Sequence, residues 1–204
     1  MSGFIIMIGI IDYNCGNIAS VVNMVSRLGY NVQVIHNIND LNRSKFLILP
    51  GVGNFSYGMK QMNMLPYREE LLHKIVKTGI PTLGICMGMQ LLTAHSEEGG
   101  CTGLDMFDLK TIKFPSSGPL PHMGWSVVNS YNDMTQFTRS RFYFVHNYFV
   151  EFSKKYTTHS CEYNGVKFSA AIQRNNIMGC QFHPEKSHKF GMQFFDSVLS
   201  RSYE

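Results

Sequence analysis

The sequence predicts an α/β protein: a mixed, mostly parallel sheet flanked by helices, with extra antiparallel strands in the second half. Three observations carry that expectation. In the first half, apolar runs of strand length alternate with longer runs of helical period, the rhythm of a parallel sheet with crossover helices. In the second half the runs become short, aromatic and β-branched, with turn residues between them. The chain has 204 residues, 44% of them hydrophobic, which is enough for one substantial core, and residues 1–204 are expected to form a single domain.

The first strand is expected over Met7 to Ile11, within the apolar start Phe4 to Ile11. No basic residue precedes that start and Asp12 interrupts it, so it reads as a buried strand rather than a signal core or a membrane span. Asn17 to Leu28 has a helical pattern, and Gly29 stands where a left-handed cap would close it. Val32 to Ile35 and Phe46 to Leu49 are the next strands. Leu65 to Lys77, opened near Pro66 and closed by Gly79, forms another helix, and Pro81 leads into the buried run Thr82 to Ile85.

Beyond about Leu109 the expected strands are Leu109 to Phe114, Trp125 to Asn129, Arg141 to Val145, Lys167 to Ile172 and Ile177 to Phe182. Ser116-Ser117-Gly118-Pro119 marks a turn and Asn164-Gly165 a tight hairpin. Phe190, Phe194, Phe195, Val198 and Leu199 recur at helical spacing and are expected to pack back on the sheet. No internal repeat, low-complexity segment or long linker divides the chain.

Composition excludes several classes of function. The formal net charge of +4 comes from scattered Lys and Arg residues, so neither a nucleic-acid arm nor a membrane anchor is expected. Five cysteines, Cys15, Cys86, Cys101, Cys161 and Cys180, cannot all pair and form no double Cys-x-x-Cys clip; a reducing cytoplasm fits them. His95, His122, His146, His159 and His188 have no ligand spacing, and no metal or organic cofactor is expected.

The sharpest local feature is Gly84-Ile85-Cys86-Met87-Gly88-Met89-Gln90, between a buried strand and a helical run. Small residues two before and two after the cysteine permit a sharp strand-to-helix turn that exposes the thiol at the sheet's carboxyl end. A helix N-terminus there favours thiolate, and the Met87 N–H can help hold an oxyanion. An isolated Gly-x-Cys-x-Gly is more often a plain βα turn around a buried cysteine. The second feature is Gly179-Cys180-Gln181-Phe182-His183-Pro184-Glu185-Lys186-Ser187, where a strand ends in a histidine with a carboxylate two residues on. Pro184 blocks helix continuation, and in an extended segment His183 and Glu185 point the same way. A His-x-Glu alone would be a strand-end histidine beside a solvated carboxylate; with Cys86 it supplies a nucleophile, a base and an orienting acid. Leu49-Pro50-Gly51-Val52-Gly53-Asn54-Phe55 is third, a glycine-bearing turn after a strand that lacks the Lys-Ser/Thr ending of a phosphate loop.

Taken together, Gly-x-Cys-x-Gly-x-Gln and Phe-His-Pro-Glu resemble the class I, triad-type glutamine amidotransferases, with their flavodoxin-like sheet. The resemblance implies one glutamine amidotransferase domain in which Cys86 is the nucleophile, His183 the general acid/base and Glu185 the group that orients it. It further implies a backbone oxyanion donor near Val52, between Gly51 and Gly53, that becomes active through a peptide reorientation. Gln90 would contact the amino-acid end of glutamine through its amide, and His146, Asn147 and Tyr148 would border the pocket.

Further segments extend the likeness to the glutaminase subunits of imidazole glycerol phosphate synthases: Ile11-Asp12-Tyr13 with Gly16-Asn17, Ser96-Glu97-Glu98-Gly99, Pro121-His122-Met123-Gly124-Trp125 and Tyr143-Phe144-Val145-His146. This resemblance implies a (β/α)8 cyclase as partner, met by Asn14, His122, Trp125, Tyr143 and Lys186, with glutamine as substrate and ammonia channelled between the subunits in histidine biosynthesis. Read alone, Ser96 to Gly99 is a polar helix-ending loop, and Trp125 a packing residue. Met87, Asn147 and the Tyr13 to Asn17 turn depart from the usual residues. They leave open a paralogue that feeds a sugar amidotransferase synthetase in surface polysaccharide formation. A silent binding module and a partner-free γ-glutamyl hydrolase are the remaining alternatives.

Overall fold

The computed structural model describes residues 6–116, 118–131 and 136–200. Phe4 and Ile5 of the apolar start and Ser117 of the expected turn lie outside the described residues.

The parallel half forms as its pattern requires. β1 (Met7–Ile11), β2 (Asn31–Ile35), β3 (Phe46–Gly51) and β4 (Thr82–Cys86) pair in the order β2-β1-β3-β4, all parallel. Along β3 side chains alternate between the two faces, Phe46 and Ile48 into one apolar cluster, Leu47 and Leu49 into the other. α1 (Ile18–Arg27) covers the first face with Val21 and Val25; the Asn17 side chain accepts from the Ser20 N–H and caps its start. α6 (His188–Ser200) joins it there with Phe194, Phe195, Val198 and Leu199, as the spacing predicted.

The opposite face is covered by α2 (Ile38–Arg43), α3 (Phe55–Asn63), α4 (Arg68–His73) and α5 (Met87–Leu91). The single helix expected over Leu65 to Lys77 starts later, at Arg68, and its last turn, Lys74–Thr78, widens to π geometry before Gly79 ends it at φ 72°. α2 buries only Leu41, too little for a periodic signal. α3 does carry one, since Phe55, Gly58, Met59 and Met62 are buried at i, i+3, i+4 and i+7.

Antiparallel strands β8 (His122–Ser130), β9 (Ser140–His146), β11 (Thr157–Tyr163) and β12 (Val166–Arg174) extend the large sheet. The strand β13 (Ile177–Cys180) lies between the halves, parallel to β4 and antiparallel to β12, giving the order β2-β1-β3-β4-β13-β12-β11-β8-β9. Asn164 and Gly165, at φ 50° and 74°, form the β11–β12 hairpin turn. A smaller sheet, β10-β7-β5-β6, is built from β5 (Thr93–Ser96), β6 (Cys101–Thr102), β7 (Phe107–Lys113) and β10 (Tyr148–Val150). Ser96 to Gly99 therefore follows a strand, not a helix: α5 stops at Leu91, and Thr93 Oγ1 donates to the Gln90 carbonyl at 2.7 Å as the chain turns into β5. Among the described residues no helix is long and apolar enough to cross a membrane.

Candidate active site

Cys86 closes β4 in a backbone conformation that side chains rarely adopt, φ 54° and ψ −111°. That geometry aims its thiol off the end of the sheet, and tight glycine packing holds it. A Cβ on Gly88 would overlap the Leu49 carbonyl oxygen, and one on Gly84 would lie 2.7 Å from the Gly88 carbonyl oxygen. Both glycines of the motif are thus required by close backbone approach, as the elbow reading demands. One part of that reading changes. α5 is only five residues long, so its macrodipole is small, and the counter-charge for a thiolate comes from the imidazole opposite.

The pairing of β13 with β4 brings that imidazole over. Cys180 is in register with Ile85, so the segment leaving β13 runs beside the one leaving β4. Gln181 Nε2 donates to Cys86 Sγ at 3.7 Å across 95 residues of chain. The strand ends at Cys180, two residues before the predicted limit, because the His183 N–H leaves the ladder to donate to the Tyr143 carbonyl of β9. Pro184–Lys186 then forms a single 3₁₀ turn with Pro184 at its start. The expected contact between His183 and Glu185 is present, Nδ1 to Oε1 2.7 Å. A tight turn produces it, not strand alternation, since proline's fixed φ suits the first helical position.

Burial works against an imidazolium at His183. The interaction with Cys86, together with Glu185, outweighs burial and pushes the imidazole up to about 10. Nε2 has no hydrogen bond of normal geometry among the described residues, so its attraction to Cys86 is one of charge and proximity. With Glu185 Oε1 accepting from Nδ1–H, the tautomer and ring plane are set.

Cys86 lies in the wall of a cavity of about 240 Å³. Of the residues expected to hold substrate, Val52, Gly53, Met87, Gln90, His146, Asn147 and Tyr148 all line it, whereas Gly51 sits behind, in register with Cys86. Two roles are narrowed by the packing. Gln90 is 4% exposed, and its amide nitrogen donates inward to the Tyr148 carbonyl at 2.8 Å and Gln181 Oε1 at 3.0 Å, leaving only its carbonyl oxygen for a ligand. His122, expected at the partner interface or supporting it, is 1% exposed inside an aromatic cluster, which leaves the supporting place.

Proton positions in that cluster follow from the partners. His146 Nδ1–H donates to the Tyr148 carbonyl at 2.8 Å, so His122 Nδ1–H donates to His146 Nε2 at 3.0 Å and Ser126 O–H to His122 Nε2 at 2.8 Å. Burial lowers His122 to about 4 and, helped by the neighbouring His122, lowers His146 to about 3, keeping both rings neutral.

The sequence reading missed Glu98, Pro121 and Val145, which also line the cavity. Glu98 Oε2 accepts from the Phe55 N–H at 2.7 Å, tying the Gly51 to Asn54 segment to the loop after β5. The Ser-Glu-Glu-Gly string was visible, but which of its carboxylates turns inward depends on where β5 ends. On the outside, Trp125 is 39% exposed and stacks on His188 at 5.5 Å; Tyr143 lies edge-on to it, and Lys186 Nζ sits 5.8 Å over the Tyr143 ring. Met123 and Val127 are exposed on the same face of β8. Asn14, at φ 59°, is exposed and donates to Gln61 Oε1 at 3.3 Å. No cluster of three or more His, Cys, Asp or Glu side chains with metal-holding geometry occurs among the described residues.

A strained cysteine elbow, an imidazole oriented by a carboxylate and a cavity beside the thiol have the arrangement expected of a cysteine-nucleophile enzyme on a mixed α/β sheet. The chain belongs to the family Glutamine amidotransferase class-I, which it matches over residues 9–199, and it is a glutamine amidotransferase enzyme. It is 42% identical to imidazole glycerol phosphate synthase subunit HisH 2 of Methanococcus maripaludis, covering 96% of this chain and 100% of that one. With imidazole glycerol phosphate synthase subunit HisH of Pasteurella multocida it shares 43% identity, covering 94% and 96%. A crystal structure of a glutamine amidotransferase superposes with a TM-score of 0.74 at 13% identity, covering 95% of this chain and 98% of that one, which supports the fold.

Proposed function

We propose that the chain, as one domain, is the glutaminase subunit of imidazole glycerol phosphate synthase, hydrolysing glutamine and passing ammonia to a (β/α)8 cyclase subunit for histidine biosynthesis. The names of its relatives support the pathway. The observation that supports the chemistry best is the imidazole of His183, fixed by Glu185 on one side and facing Cys86 on the other, at a cavity of amino-acid size.

In this reading glutamine's carboxamide carbon sits over Sγ. Thiolate attack forms the C–S bond and moves the carbonyl electrons onto oxygen, which the N–H groups of Met87 and Val52 hold. His183 gives its Nε2 proton to the departing nitrogen, ammonia leaves, and a glutamyl thioester remains. His183 then takes a proton from water, whose oxygen attacks the thioester, and glutamate is released with the thiolate restored. Glu98 offers the one carboxylate in the cavity wall among the described residues and, with the Gln90 carbonyl oxygen, suits the substrate's α-ammonium group. Asn147 and Tyr148 stand at the same cavity to meet its α-carboxylate.

Ammonia released into water becomes ammonium and loses its nucleophilicity, so the product needs a sheltered route to an acceptor. The surface group of Trp125, half-buried Tyr143 and Lys186, beside the His183 turn, is where the cyclase docks in this proposal; Asn14 belongs to the same contact, and His122 supports it from beneath. Identification of the co-purifying protein by mass spectrometry, followed by glutamate-release assays with and without it and its acceptor ligand, tests the reading. A strong rate increase on partner and ligand binding is expected. Equal, fast rates would overturn coupling, and a sugar-modifying partner would reassign the acceptor.

A further inference from the structure

One buried polar group takes no part in the chemistry above. The Tyr13 side chain is 1% exposed, and its hydroxyl has no hydrogen-bond partner in the protein. Among the described residues that state is shared by His183 Nε2 and Glu185 Oε2, both in the catalytic group. A phenol sealed away from water without a partner is costly, and its presence points to a second local arrangement in which it is bonded.

Its position shows which one. A Cβ on Gly51 would lie 2.5 Å from the Tyr13 hydroxyl and 2.6 Å from the Gly88 nitrogen. The hydroxyl therefore rests against the backbone of the last residue of β3, whose register partner is Cys86. Across from it, Val52 and Gly53 face the cavity. The segment beyond Gly51 has room on its solvent side: Val52 is 40% exposed, and Gly53, at φ 108°, has open space where a Cβ would be. Turning the peptide between Gly51 and Val52 about its flanking bonds would reverse the directions of the Gly51 carbonyl and the Val52 N–H together, because the two lie trans in one plane.

We propose that Tyr13 is a positioning residue for glutamine hydrolysis: its hydroxyl donates to the Gly51 carbonyl in the turned arrangement and holds the Val52 N–H toward the substrate oxygen. Burial, reinforced by the neighbouring Cys15 and Cys86 side chains, raises the phenol well above its ordinary range, so it remains a protonated donor. This inference rests on the glutaminase reading and adds the residue that stabilises its active backbone.

The test is Tyr13→Phe in the full chain, assayed for glutamate release in complex with the co-purifying synthase subunit, with thermal melting of the free chain alongside. The expected result is a kcat lowered about tenfold with KM within about twofold, and a melting temperature at or above wild type, because the orphan hydroxyl is gone. A kcat within about twofold of wild type overturns the inference. So does a lowered melting temperature, which would show the hydroxyl already bonded in the resting fold. A wild-type complex that releases no glutamate overturns the glutaminase reading itself, and the role of Tyr13 with it.

Discussion

His183 and Glu185 are joined Nδ1 to Oε1 at 2.7 Å, with side chains only 1% and 2% exposed. A charge-assisted contact sealed this far from water is screened little, so Glu185 acts on the imidazole's charge as well as its orientation. Glu185→Gln keeps the shape and removes the charge. Glutamine-dependent kcat should fall by about 10- to 100-fold, less than on loss of Cys86 or His183. With one of its raising partners gone, His183 titrates lower, so the alkaline limb of the kcat/KM profile should move toward lower pH. A loss as complete as that of Cys86→Ala would show that the carboxylate does more than orient and charge the ring.

Cys86→Ala removes the proposed nucleophile from an elbow whose backbone is set by Gly84 and Gly88. Glutamine-dependent synthesis by the complex should be abolished, while synthesis from added ammonium salts persists. Loss of both would indicate failed assembly instead.

Gly88→Ala places a methyl group on the Leu49 carbonyl oxygen, which belongs to the neighbouring strand and cannot swing aside. Urea denaturation should show a loss of about 1–3 kcal/mol, the ordinary cost of overpacking. An unchanged midpoint would mean that β3 and α5 can separate, contrary to the tight elbow.

Glu98→Gln removes the carboxylate from the cavity wall but keeps an oxygen for the Phe55 N–H. If Glu98 binds the α-ammonium group, KM for glutamine should rise by about tenfold or more with kcat much less affected. Equal KM values for the two proteins would exclude that role.

The neutral pair His122 and His146 makes acid a denaturing condition. Their folded values, about 4 and about 3, lie below the ordinary 6.5. Between these limits the unfolded chain binds more protons than the folded one, so this contribution is complete above 6.5 and is lost as pH falls toward 4. Urea midpoints measured from about pH 7 to about pH 5 should decline, and replacing both rings with phenylalanine should flatten the decline. A flat profile in the wild type would show that these imidazoles are not held neutral.

Much of this protein was legible in the sequence because local rules govern it. The strand runs Met7–Ile11 and Phe46 to Leu49, the closing glycines Gly29 and Gly79 and the Asn164-Gly165 turn follow from periodicity and backbone preference within a few residues. Cys86 between its glycines, and His183 with Glu185, were identifiable for the same reason: the elbow and the two-residue His–Glu spacing are short-range geometry. The short strands of the smaller sheet and helix α2 were not, because they bury too few side chains to leave a pattern. Tertiary structure alone decided the rest. Only the insertion of β13 between β4 and β12 sets His183 beside Cys86, and only the packing of β5, β8 and β9 turns Glu98 into the cavity, buries His122 and spends the Gln90 amide inside the wall. Those outcomes depend on which surfaces meet across long stretches of chain, and no local preference specifies them.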